Sequence, residues 1–263
     1  MGETLVELAR IAIMHLAPTH RSVLMAAALV ALSASACTTA TETAPDQPAP
    51  AFGDHEADFG QSAPDPVAYP DVVGWEVGRA IPNMSFVGYA DYLEPATGGE
   101  LRFLEMSDFY NPTGDGVFPE GSPHGAGLPK PTVLLLDISA VWCGPCKYES
   151  QVVLPAAYAM YGAQGGGFLT LLLEGSNPST GAPASYQELE NWASSYGVET
   201  PLALDPTQQG IAFLDGGWPT NVIIRTRDMK MIHISAGVPE LGGTGGSSFW
   251  NLYEQVMNGS YPD

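Results

Sequence analysis

The sequence predicts an α/β sandwich of layers over residues 76–263, and three observations carry that prediction. Thr132–Ile138 reads TVLLLDI, the continuous apolar run of a strand buried on both faces in a parallel sheet. Phe168–Leu173 is a second such run. Helix patterns with readable starts and stops fall after each, and the chain closes on a hairpin and a last helix.

Taken in order, Met84–Tyr89 and Glu100–Leu104 are the first two expected strands. Asn111–Lys130 is a loop, punctuated by Pro, Gly and Asp. After the buried strand a helix runs from Cys143 to about Tyr161, stopped by Gly162 and Gly165-Gly166-Gly167. Ser185-Tyr186-Gln187-Glu188 is a capping box opening a helix to Tyr196, with Gly197 as its stop. Pro201–Leu204 is a short strand, and Asn221–Arg225 and Met231–Ser235 flank a turn at Arg227-Asp228. Ser248–Met257 is the closing helix, and no internal repeat is present.

Composition narrows the function. The 9 basic and 29 acidic side chains give a net charge of −20, which excludes a nucleic-acid binder, since phosphates are held by clustered Lys and Arg. A hydrophobic share of 45% excludes a disordered chain, and 30 Gly with 23 Pro point to long loops and a linker. Three cysteines are too few for a disulfide scaffold.

The N-terminus reads as an address followed by a tether. Arg21 precedes the apolar stretch Val23–Leu32 and the small residues Ser33–Ala36, the layout of a secretory signal over residues 1–36, with Met14 the expected true start. Ala34-Ser35-Ala36-Cys37 resembles the lipobox of bacterial lipoproteins, which implies lipid on Cys37 and a membrane anchor. It departs from that pattern in having Ala34 where Leu is usual, and plain A-x-A cleavage with a free Cys37 thiol is the alternative. Residues 37–75, acidic and rich in Ala and Pro, form the expected flexible spacer.

The chemistry concentrates at Trp142-Cys143-Gly144-Pro145-Cys146-Lys147, where the buried strand turns into a helix. A Cys at a helix N-terminus meets unpaired N–H groups and the positive end of the dipole, which stabilise its thiolate. Thiolate is the attacking form, so Cys143 is the expected nucleophile and Cys146, one turn on, the resolving thiol. Half of a zinc site is the competing reading of C-x-x-C, but no second pair is at hand and no metal is expected.

VLLLDISAVWCGPCKYE resembles the active-site region of the thioredoxin superfamily. The resemblance implies a thioredoxin-like fold: α/β, a central mixed β-sheet flanked by helices, with an extra N-terminal β-hairpin. It also implies that Asp137 helps move the proton of Cys146, since a carboxyl in an apolar strand has a raised pKa; a hydrogen-bonded core Asp is the plainer alternative. Gly217-Trp218-Pro219-Thr220 matches the superfamily's cis-proline loop, so Trp218, Pro219 and Thr220, with Trp142 across from them, are expected to bind substrate. Gly78–Met84 with Glu100–Leu104 is similar to the hairpin of the membrane-anchored TlpA/ResA-like branch, where Glu149 has a counterpart beside the active site. A solvated helix Glu is the alternative there. The family's proline five residues after the second Cys is Gln151 in this chain, with Pro155 about a turn later, which displaces any kink. The long loop Asn111–Lys130 is expected to cover the site.

The resulting expectation is an exported, lipid-anchored thiol–disulfide oxidoreductase of the periplasm or cell envelope. It uses the Cys143–Cys146 dithiol without any other cofactor, acts on protein thiols and disulfides, and works as a reductant fed by a membrane electron donor. A copper-delivery or copper-binding lipoprotein without redox turnover is the alternative. His233 echoes the copper ligand of such proteins, but its strand pattern MIHIS fits a half-buried residue. Gly242–Ser248 fits a flexible connection better than a phosphate cradle, and His55 in the spacer lacks partners at ligand spacing.

Overall fold

A computed structural model describes residues 67–93, 99–214, 216–242 and 246–262. The expected signal, Met14, Cys37, His55 and most of the spacer lie outside the described residues, as do positions 243–245 of the glycine-rich connection. Among the described residues no helix is long and apolar enough to cross a membrane.

Among the described residues, seven strands form one mixed sheet. They are β1 (Ser85–Tyr89), β2 (Arg102–Glu105), β3 (Val133–Ala140), β4 (Gly166–Glu174), β5 (Leu202–Leu204), β6 (Thr220–Arg225) and β7 (Lys230–Ala236), in the spatial order β2-β1-β5-β4-β3-β6-β7. β3 is parallel to β4 and antiparallel to β6, and all eight of its residues are buried, as an apolar run without alternation requires. The helices are α1 (Gly144–Tyr148), α2 (Leu154–Tyr161), α3 (Tyr186–Tyr196) and α4 (Gly246–Met257). A parallel β3–β4 pair joined through a helix, followed by an antiparallel β6–β7 hairpin and a last helix, is the thioredoxin-like arrangement. The hairpin β1–β2 extends the sheet through antiparallel pairing of β1 with β5.

The two faces of the sheet have different covers. Val133 and Leu135 pack under α2 and α4 with Leu154, Tyr161, Trp250 and Tyr253. Leu134, Leu136 and Ile138 pack on the other face against Met84, Met106, Phe109 and Phe213, the last three from the short 3₁₀ helices Met106–Phe109 and Gln209–Phe213. These 3₁₀ turns carry too few residues to show a helical period, and the sequence gives no sign of them. α3 is tied to the turn that follows α1 by the bond from Trp192 Nε1 to Ser150 Oγ (3.2 Å). Its capping box and its left-handed stop at Gly197 (φ 59°) are as the sequence predicts.

Three expectations are revised. The helix after Cys143 runs to Tyr161 as expected but is not uniformly α: a π-turn over Glu149–Val153 joins α1 to α2, with Leu154 N–H bonded to Glu149 O. Pro155, at the start of α2, lacks an N–H and its ring would meet the carbonyl of Gln151 in a regular helix; the wider turn removes that conflict. The loop Asn111–Lys130 lies away from the C-x-x-C turn. Its ends are fixed at the start of β3, where Asn111 Nδ2 donates to the Lys130 and Pro131 carbonyls (3.2 Å each) and Asn111 N–H to Thr226 O. The eight residues of β3 place about 25 Å between that end and the C-x-x-C turn. Packing also begins ahead of residue 76: Tyr69 donates its hydroxyl to Ile81 O (2.7 Å) and meets Tyr110 edge-on.

Gly88 sets the seam between the hairpin and the rest of the sheet. A Cβ there would stand 2.2 Å from Leu202 O and 2.5 Å from Ala203 Cα. Gly88→Ala is therefore expected to lower stability by roughly 1–3 kcal/mol through overpacking. Urea melts of the oxidised protein check this, and an unchanged midpoint would contradict the close β1–β5 contact.

Candidate active site

β3 delivers the chain to the turn Val141-Trp142, and Cys143 becomes the N-cap of α1, its Sγ accepting from Cys146 N–H at 3.1 Å. Pro145 lies in the first turn, where no helical N–H is needed. The two sulfurs are bonded at 2.07 Å. Cys143 is 2% exposed and Cys146 is fully buried, so a partner's sulfur can reach the pair only at the Cys143 edge.

That edge is framed by aromatic rings. Trp218-Pro219 is a cis peptide, as the loop pattern implies. The Trp218 ring meets Trp142 edge-on with centroids 5.8 Å apart, and both rings pack on the cluster that contains the cysteines. Trp142 Nε1 donates to Glu174 Oε2 (2.8 Å) at the end of β4, which fixes the indole. Thr220 differs from its expected role: it is fully buried and its hydroxyl donates to Gly217 O (2.8 Å), so its side chain braces the loop and is closed to a substrate.

Asp137 lies on the face of β3 that looks toward α1 and α2, in step with Val133 and Leu135. It is 1% exposed, and Ser139 Oγ donates to its two oxygens at 2.9 and 3.0 Å. Burial pushes its pKa up from the ordinary 3.8 to about 7, against the hydrogen bonds of Ser139 and Thr170, which favour the charged form. Asp137 is thus at once a hydrogen-bonded core residue and a carboxyl poised near neutrality.

Glu149 is fully buried, which overturns the solvated-helix reading. Neither of its oxygens has a hydrogen-bond partner. Burial foremost, then the charge of Asp137, raises its pKa well above 4.5; the Asn221 amide opposes this, and Glu240 adds to it. Two coupled carboxyls in one dry layer do not ionise together readily. Asp137, with donors from Ser139 and Thr170, ionises first, and Glu149 keeps its proton to higher pH.

Four residues at the site were missed from sequence: Glu174, Ser139, Thr170 and Asn221. The last two stand opposite Asp137 in the β3–β4 and β3–β6 registers. Thr170 left a signal, because it is the polar interruption of an apolar run (FLTLLL) just as Asp137 is of VLLLDI, whereas Asn221 merely heads its run (NVII). His233 is half-buried in β7 with its ring against Phe249, and burial lowers its pKa. Among the described residues no group of three or more His, Cys, Asp or Glu could hold a metal ion.

No protein-family profile matches the sequence, and no curated protein matches it. Solved structures similar to the chain include a candidate thiol:disulfide interchange protein DsbE from Chlorobium tepidum (19% identity, 69% of this chain and 98% of that one, TM-score 0.46). Another is the thioredoxin domain of a thiol-disulfide oxidoreductase from Bacteroides vulgatus (14%, 70% and 99%, TM-score 0.42). A third is the exposed lipoprotein thioredoxin Etrx1 from Streptococcus pneumoniae (15%, 66% and 99%, TM-score 0.41). Likenesses this distant decide nothing about the chemistry, which rests on the strand order and the geometry of the site.

A raised folded-state pKa gives Asp137 a definite stability signature. The contribution is full below its unfolded value near 3.8 and is lost as pH rises through about 7. Asp137→Asn is expected to flatten the fall in stability across that window and to be the more stable protein at about pH 8. Urea melts of the oxidised protein at several pH values test this, and an unaltered pH dependence would contradict it.

Proposed function

We propose that this chain is an exported thiol–disulfide oxidoreductase, anchored by lipid on Cys37, that reduces protein disulfides with the Cys143–Cys146 dithiol. The observation that carries the reading is the placement of the pair. Cys143 caps a helix at an aromatic-framed edge beside the cis Trp218-Pro219 peptide, and Cys146 is buried on the side of two carboxyls with raised pKa values. A structural disulfide would have no use for buried acids, which cost stability unless they hold or move a proton.

The reaction runs in two exchanges. The Cys143 thiolate attacks one sulfur of the substrate disulfide, forms a mixed disulfide and expels a substrate thiolate, which takes up a proton. The Cys146 thiol then loses its proton to the ionised carboxylate of the pair and attacks Cys143 Sγ. This closes the protein disulfide and releases the second substrate thiolate, which is protonated in turn. Two electrons have passed to the substrate, so the oxidised protein needs a two-electron donor; for an exported protein that donor is a dithiol partner in the membrane. The Gly-Pro dipeptide between the cysteines resembles that of reducing thioredoxins and favours the reductant direction. Trp142 and Trp218 offer the apolar surface on which the substrate segment docks, with Pro219 alongside.

Cys146→Ser is expected to accumulate a mixed disulfide through Cys143 when mixed with a disulfide substrate such as insulin, whereas Cys143→Ser accumulates little. Non-reducing gels with mass mapping read the outcome, and equal trapping by both variants would contradict the assigned roles. For the anchor, labelled fatty acid is expected to enter the wild type and to be lost in Cys37→Ser, which is then released as soluble protein. Label that persists in the variant would remove lipidation from the account.

A further inference from the structure

A polar row crosses the sheet at the level of Asp137. Thr170 on β4, Asp137 on β3, Asn221 on β6 and Ser235 on β7 are successive partners in the strand registers. Neighbours paired across strands present their side chains on the same face, so the row lies in the layer between the sheet and the C-x-x-C helix. Asp137 is held in that row by Ser139, but neither carboxyl oxygen of Glu149, which enters the layer from the helix side, has a hydrogen-bond partner among the described residues.

Asn221 is the member of the row with no evident structural task. It is fully buried in a strand otherwise suited to Val and Ile, and its Oδ1 has no partner. Its Nδ2 reaches only Gly237 O, at 3.4 Å, the far limit of a hydrogen bond. Burying an amide so poorly used costs more than a Val or Leu would in the same place. Three buried polar oxygens without a hydrogen-bond partner, two on Glu149 and one on Asn221, therefore gather about Asp137, the strand partner of Asn221 and a charge that acts on Glu149.

We propose that Asn221 is the positioning residue for Glu149: its amide, weakly held at Gly237 O, turns to the carboxyl in the buried layer and stabilises the carboxylate formed when Glu149 gives up its proton. This rests on the oxidoreductase reading above and assigns the relay a neutral partner. A neutral one is what the surroundings demand. The charged groups that act on Glu149 are Asp137 from β3 and Glu240 from the segment after β7, both acidic, and Cys146 precedes it on α1. Among the described residues no positive charge balances them there, and the Asn221 amide is the group that favours the ionised form.

The test reads Glu149 directly in the oxidised protein, where no turnover is needed. Carboxyl-carbon NMR of glutamate-labelled protein is followed against pH, with the Glu149 signal assigned by its loss in Glu149→Gln. Asn221→Leu is expected to move the Glu149 midpoint upward by about one pH unit. Asn221→Ser, which keeps polarity but loses the amide's reach, is expected to move it the same way and serves if the Leu variant does not fold. The pH profile for closing the mixed disulfide should shift upward in step, and Asn221→Leu should produce no shift in a Glu149→Gln background. A midpoint that stays in place or falls, or an equal rate shift without Glu149, would overturn the proposal. The two readings fail separately: wild-type protein that reduces no disulfide at any pH removes the oxidoreductase role while leaving the NMR shift to decide this contact.

Discussion

Asp137 and Glu149 share a layer from which water is excluded, and a carboxylate there lacks the solvation that keeps acids ionised at neutral pH. Each negative charge placed in that layer makes the next harder to form. The pair therefore holds a proton across the pH range in which exposed acids have lost theirs, and it does so beside a thiol that must lose one. The remaining features of the site follow from keeping this layer closed. Cys146 is fully buried, Ser139 and Thr170 supply the donors that let Asp137 ionise first, and the aromatic pair Trp142–Trp218 leaves Cys143 as the point of entry.

Backbone geometry serves the same end. Glu149 opens the π-turn between α1 and α2, so the wider turn begins at the residue whose side chain must point inward. Pro155 makes a regular helix unfavourable through this stretch, and the π-turn satisfies Leu154 N–H at Glu149 O instead. The cis-proline loop is secured independently by Thr220, and Gly237 N–H bonds to Pro219 O at 2.7 Å. Helix and loop are thus fixed by separate contacts on either side of the disulfide.

Much of this was legible in the sequence. The buried strands showed as apolar runs, α3 as a capping box closed by Gly197, and the redox turn as WCGPCK after a strand. Asp137 was visible as the one acid in VLLLDI. Less was legible where the signal is spatial. Glu149 carries no mark that separates a buried helix acid from an exposed one; its burial depends on the π-turn, which follows from Pro155 only once the helix is placed. Thr170 and Asn221 converge on Asp137 through strand register, and register follows from pairing partners distant in sequence. The loop Asn111–Lys130 was expected over the site because it precedes β3 in sequence. Its anchors at Thr226 and Pro131 place it at the opposite end of that strand.

The central claim is that Cys143 and Cys146 form a reversible two-electron couple whose protons are managed by the buried carboxyls. The most direct measurement is the reduction potential of the pair against a glutathione or dithiothreitol buffer across pH. Uptake of two protons with two electrons gives a slope of about 59 mV per pH unit. The account predicts that slope at low pH and a bend near neutral pH from the Asp137–Glu149 pair, which holds its proton differently beside a disulfide and beside two thiols; in the Asp137→Asn, Glu149→Gln double variant only the bend of the Cys143 thiol remains. A disulfide that does not equilibrate with either buffer, or a wild-type line that superimposes on the double variant's, would contradict it.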